Sequence, residues 1–230
     1  MDSSVTFGRV TVALPNLSEP GFYLSNVSTL DSTRGLVQDF QYADADLREL
    51  DLADASLITG RVTGLRADRV RLDEVRLDSV EFDTCDLANA RIADARFSRV
   101  VFRNCKVMGA RLTGVTLDNV LFESCKLDYS TFEQVRATGP LAFSKCVLNE
   151  ATFRGCDLGR AVVDACGLRL TEFGRGKYQD LDLRGNDLRS VRGTANLSKV
   201  IIGRAQQGEL AEALVAELDV TFADTLDDRR

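Results

Sequence analysis

From Ala45 to Ser190 an apolar residue returns at every fifth position, a period that neither a helix nor a straight strand accommodates. The run from Val70 to Asp94 reads VRLDE, VRLDS, VEFDT, CDLAN, ARIAD. With the middle residue of each five taken as its centre, 29 centres run from Leu47 to Ala137, slip by one residue, and resume from Phe143 to Leu188. Leu fills 14 of them and Phe 8, so the centre calls for a bulky apolar side chain. On a helix each fifth residue advances roughly 140° beyond a full turn, and the centres would wind around the rod with no dry face. On a straight strand an odd spacing sends successive centres to opposite sides. Within one repeat, however, the second apolar position lies two residues before the centre, which is strand alternation. A short strand followed by a corner, repeated, points every centre into one interior. The chain is therefore read as a solenoid.

A longer period gives its cross-section. Phe82, Phe102, Phe122 and Phe143 recur at intervals of 20, 20 and 21, and Cys85, Cys105, Cys125 and Cys146 repeat them, with Cys166 another 20 on. Like residues stacked every four repeats imply four sides per coil. About seven coils at ~4.8 Å make a rod roughly 34 Å long. Corners fall on the last two residues of each five, where Gly64, Gly109, Gly114, Gly139, Gly155 and Gly185 are expected to supply positive φ. The extra residue at Thr138-Gly139-Pro140 reads as a bulge at a corner, where proline's missing donor does no harm.

The units Ala45-Asp46-Leu47, Cys85-Asp86-Leu87 and Cys156-Asp157-Leu158 resemble the A(D/N)LXX unit of the pentapeptide-repeat proteins. The resemblance implies an all-β fold, a right-handed quadrilateral parallel β-helix. It says much less about function, because function resides in sites rather than folds.

The six cysteines all take the small inward position two before a centre, so burial accounts for them without disulfides. No CxxC pair and no histidine accompanies them, and no metal or cofactor is expected. Enzyme chemistry finds little support. The usual base of a Ser or Cys triad is missing, and there is no phosphate-binding glycine loop. No apolar run reaches the ~20 residues of a membrane span, and Met1 to Val10 does not read as a signal peptide, so a cytoplasmic location is expected.

The net charge of −6 is unevenly placed. Residues 45–190 carry 23 acids and 22 bases, residues 1–44 net −3 and residues 191–230 net −2. The solenoid is thus close to neutral. Outward residues also stack into columns: Arg71, Arg91 and Arg111 form one ridge, while Arg76 and Arg96 begin another that Arg136 rejoins after Thr116. On the side of the Phe column the outward positions Val101, Leu121, Ala142 and Val162 are apolar, a stripe expected to meet a partner subunit or a surface strand.

Residues 1–44 lack a clean register and read as an N-terminal cap of irregular strands, with strand pieces at Val5 to Leu14 and Leu36 to Tyr42. Residues 191–222 read as a last strand at Val200 to Ile202 and a helix from Ala205 to Leu218. That helix carries Leu210, Ala211, Leu214, Val215 and Leu218 on one face and is expected to lie over the open end of the solenoid. In Qnr-like and MfpA-like relatives a similar ending makes a homodimer, which the resemblance carries over to residues 205–222. Residues 223–230 are expected to be a disordered tail.

A non-enzymatic protein-interaction scaffold with an unspecified partner fits these features. The alternative implied by the resemblance is a mimic of duplex DNA that binds DNA gyrase and confers fluoroquinolone resistance. On that reading the contacts are the acidic first coil (Asp46, Glu49, Asp51, Asp54) and the acid ring Asp118, Glu123, Asp128 and Glu133. Duplex DNA presents a charge every ~1.7 Å, and a near-neutral solenoid with Arg ridges copies that poorly. Direct nucleic-acid binding by those ridges is disfavoured, since no aromatic residues are interleaved with them.

Overall fold

The computed structural model describes residues 3–30, 35–218 and 220–222, and it is a four-sided parallel β-solenoid of about seven coils. Every centre from Leu52 to Leu188 is buried; Leu47, in the first coil, is half-buried. The ladder runs in steps of 20. Arg96–Arg103 pairs with Arg76–Asp83 below and Thr116–Glu123 above, so Phe102 stacks between Phe82 and Phe122. Ring centroids in that column lie 4.9, 4.9 and 5.1 Å apart, and a second column formed by Phe132, Phe153 and Phe173 has spacings of 4.6 and 5.4 Å. These separations match the spacing between strands, so the offset stacks follow directly from the coil rise.

Most corners do not use glycine. The fifth residue of the repeat adopts left-handed φ with many side-chain types, among them Glu74 (58°), Arg99 (51°) and Tyr129 (60°). Five of the six expected glycines share that conformation, but Gly139 does not. There a Cβ would run into the Asp118 carboxylate, so Gly139 serves close approach rather than positive φ. The slip is absorbed at the same corner. Thr138 and Gly139 both donate their N–H to the Leu117 carbonyl, and the ladder resumes at Leu141 opposite Val120, now 21 residues apart.

Coil geometry extends beyond residues 45–190 in both directions. Leu36–Ala43 pairs with Ser56–Thr63 at the same offset of 20, and Ser25–Asn26 pairs below it. Phe40, in the inward position two before Tyr42, fills the space that the missing side chain of Gly60 leaves open. At the other end Asp182 bridges Ile201, and Gln206 plugs the last coil by donating to the Leu183 and Asn186 carbonyls at 2.9 and 2.8 Å. A single turn at Arg204–Gln206 leads into α1 (Gln207–Glu217). Ala213 is buried and Leu210 packs on the core, while Ala211, Leu214 and Leu218 face outward and Val215 is half-buried. Two carboxylates dock the helix. Glu209 accepts the Leu188 N–H at 3.1 Å, and Glu217 accepts the N–H groups of Gly193 and Thr194. The charged tail, residues 223–230, lies outside the described residues.

The segment expected to be an N-terminal cap does something else as well. β1 (Ser4–Phe7) and β2 (Val10–Ala13) form an antiparallel hairpin that lies on the side of the solenoid rather than over its end.

Candidate interaction surface

The four sides can be taken in order of the centres they contain, from Leu87 (first) through Ile92 and Phe97 to Phe102 (fourth). Each presents outward the residues flanking its centres and the corner residue after them.

The apolar stripe lies on the fourth face, and the chain itself covers it. Val101, Leu121, Ala142 and Val162 are between 0 and 4 % exposed, buried under Val12 and flanked by Val5, Phe7, Val10 and Leu14 of the hairpin. One hydrogen bond, from Ala13 N–H to Asn119 Oδ1 at 2.9 Å, fixes the position of β2. Charges bound the stripe at both ends. Below it Arg61 meets Glu81 at 3.0 Å, and Arg103 links Glu81 to Glu123, the latter contact at 2.8 Å. Above it Asp182 accepts from Arg184, whose hydrogen bonds hold the carboxyl below the usual carboxylate range despite burial. Of the two occupants expected for this stripe, a surface strand is the one found.

The acidic residues do not gather into one patch. Asp46 and Glu49 belong to the first face, Asp51 and Asp54 to the second, and all four are exposed. Asp118, Glu123, Asp128 and Glu133 encircle one coil with one residue on each face; Glu133 is exposed and the others half-buried. Glu123 is already engaged by Arg103, and Asp51 by Arg71 at 3.3 Å. The ridge Arg71, Arg91, Arg111 is likewise interrupted, because Asp73 sits between its first two members at 2.8 and 3.2 Å.

The second arginine ridge is different. The ladder places Arg76, Arg96, Thr116 and Arg136 in line on the third face and continues through Asp157 to Lys177. Among the described residues Arg96 and Arg136 make no ion pair, and Arg76 only reaches Asp78 at 4.0 Å. Over residues 45–190 the third face carries six bases against four acids. The second carries five against seven, the fourth four against five, and the first is balanced. Overall neutrality therefore conceals one basic face.

All six thiols are buried. No group of His, Cys, Asp or Glu that would hold a metal ion is found among the described residues, and no helix among them is long and apolar enough to cross a membrane.

Residues 75–139 match the family model described as a pentapeptide repeat region. No curated protein matches the chain. Among solved structures it is similar to QnrB1, a plasmid-mediated fluoroquinolone resistance protein. A trypsin-treated form is 17% identical over 87% of this chain and 96% of that one, with a TM-score of 0.36. The full-length form is 19% identical over 78% and 89%, with a TM-score of 0.35. It is also similar to HetL, a pentapeptide repeat protein involved in heterocyst differentiation regulation from the cyanobacterium Nostoc, 14% identical over 72% and 86%, with a TM-score of 0.29.

Proposed function

We propose that this chain, whose residues 75–139 match the pentapeptide repeat region, works as a non-enzymatic scaffold whose flat faces bind another protein. The observation that carries this reading is the registered outward lattice. Side chains 20 or 21 residues apart stand in straight columns on rigid parallel ladders, while every thiol points inward. Such a surface is preorganised for contact, and its columns define charge patterns at fixed spacing. A photo-crosslinking residue placed in turn on each of the four faces tests it. The expected result is a protein adduct from one face in preference to the others; no protein adduct from any face rejects the scaffold.

A homodimer through the C-terminal segment belongs to the same reading. Leu214 and Leu218 of the helix region, with Val220 and Phe222 beyond it, leave apolar surface exposed at the end of the rod.

The finer alternative is a gyrase-binding mimic of DNA. It draws on Asp46, Glu49, Asp51 and Asp54 and on the ring Asp118, Glu123, Asp128 and Glu133. Gyrase supercoiling assayed with ciprofloxacin, with and without the purified protein, separates the two readings. Protection that charge reversal at these positions abolishes establishes the mimic; no effect over a broad concentration range leaves the scaffold.

A further inference from the structure

On the third face the basic column ends in a groove of about 650 Å³ that crosses several coils near the C-terminal end. Arg136, Arg160, Lys177 and Lys199 stand around it, accompanied by Asp157 and Asp180. Two glycines, Gly159 and Gly176, belong to its lining. A Cβ at Gly176 would lie 2.6 Å from the Cys156 carbonyl, and one at Gly159 would lie 3.1 Å from the Gln179 carbonyl. A side chain at either position would therefore run into backbone, and the Cys156 carbonyl is already taken by the Lys177 N–H at 2.8 Å. Lys177 is 3.4 Å from Asp157, and Arg160 Nη1 donates to the Thr138 carbonyl at 3.4 Å, leaving the rest of its fork outward. Arg136 and Lys199 have no carboxylate partner among the described residues.

We infer that this groove binds a short acidic peptide segment of a partner protein, an assignment that rests on the scaffold reading above and names the chemistry of its partner. Unpaired guanidinium and ammonium groups beside a groove take carboxylates with charge-assisted hydrogen bonds. The two aspartates supply acceptors for the peptide's own N–H groups. A nucleic acid suits the site less well. A duplex is a continuous polyanion, whereas the solenoid as a whole is close to neutral and its basic excess is confined to this face. A short segment meets only the groove.

Binding of a fluorescein-labelled oligoglutamate peptide, read by fluorescence anisotropy at low salt, tests the assignment. Saturable binding that weakens as salt is raised is expected. The pair Arg136→Glu and Arg160→Glu is expected to weaken it about tenfold or more, as the loss of two charge-assisted contacts requires. The milder pair Arg160→Gln and Lys199→Gln is expected to weaken it in the same direction, with unchanged circular dichroism. The pair Lys106→Glu and Lys126→Glu on the first face is expected to change it less than about twofold. The assignment is overturned by no binding at low salt, by an equal loss from the first-face pair, or by duplex DNA displacing the peptide at equal charge concentration. If the peptide fails while crosslinking still captures a protein from another face, the groove assignment falls and the scaffold stands; if no face crosslinks, the scaffold itself falls.

Discussion

At Ser130 a hydroxyl replaces the usual small apolar residue of the inward position, and it is fully buried. It donates to the Val107 carbonyl at 2.8 Å, 23 residues back. Thr171 makes the same bond to Leu148, Asn186 to Val163, and the thiols of Cys85, Cys105 and Cys125 to Val62, Phe82 and Phe102. One position two before a centre thus tolerates Ser, Thr, Asn or Cys, because in each case a donor reaches the carbonyl of a centre in the coil below. Ser130→Val removes one of the two hydrogen bonds to that carbonyl, which keeps the Ala110 N–H, and is expected to cost about 0.5–1.5 kcal/mol, whereas Ser130→Cys costs less; urea unfolding of both measures the difference. Phe102→Ala, in the middle of the stacked column, is expected to cost about 3–5 kcal/mol by the same measurement. The thiols also set a pH dependence. Burial pushes Cys156 up to about 11, while the unfolded thiol ionises near ~8.5. The folded state holds its proton longer, so this contribution is complete below pH ~8.5 and is lost as pH rises toward the folded value. The urea midpoint is expected to fall across that window, and by less in Cys156→Ala.

Among the elements, the hairpin β1–β2 and the helix α1 are held differently. A two-stranded hairpin is marginal alone in water. This one is ordered by the burial of Val12 against Val101, Leu121, Ala142 and Val162. Val12→Asp is expected to release the hairpin and leave the solenoid folded. Protease cleavage then appears between Leu14 and Ser25, dye binding to exposed apolar surface increases, and the β signal in circular dichroism is retained. Loss of the solenoid signal instead shows that the two are one cooperative unit. The helix is docked by polar contacts through Glu209, Glu217 and the adjoining Gln206 together with Leu210 and Ala213 on the core. An apolar stripe was readable from residue spacing, but of Leu210, Ala211, Leu214, Val215 and Leu218 only Leu210 packs on the core. The role of Ala213 was not readable, because which stripe of a short helix turns inward depends on where the preceding turn aims it. The hairpin teaches the same lesson. Val101, Leu121, Ala142 and Val162 marked an apolar column on the fourth face as a candidate contact surface. Nothing local to Val5 through Leu14 says that this segment, some 90 to 150 residues away, is what covers it.

For the molecule as a whole, the ends of the rod differ in kind. The C-terminal end exposes Leu218 and Phe222 at 65 and 56 %. Leu214→Asp combined with Leu218→Asp is expected to convert a dimer to a monomer in size-exclusion chromatography with light scattering, without altering the solenoid's thermal unfolding; a wild-type monomer rejects the dimer. The five-residue period determined the coil, its four sides, the buried centres and the buried thiols. Each of these follows from a local rule repeated, and repetition averages out the ambiguity of any single repeat. Tertiary structure alone decided which columns remain free. Covering the stripe, pairing Arg71 and Arg91 through Asp73, and placing Arg136 beside a groove with Arg160 and Lys199 all depend on residues brought together across coils. Side-chain reach and chain return determine such contacts, and a period of five encodes neither.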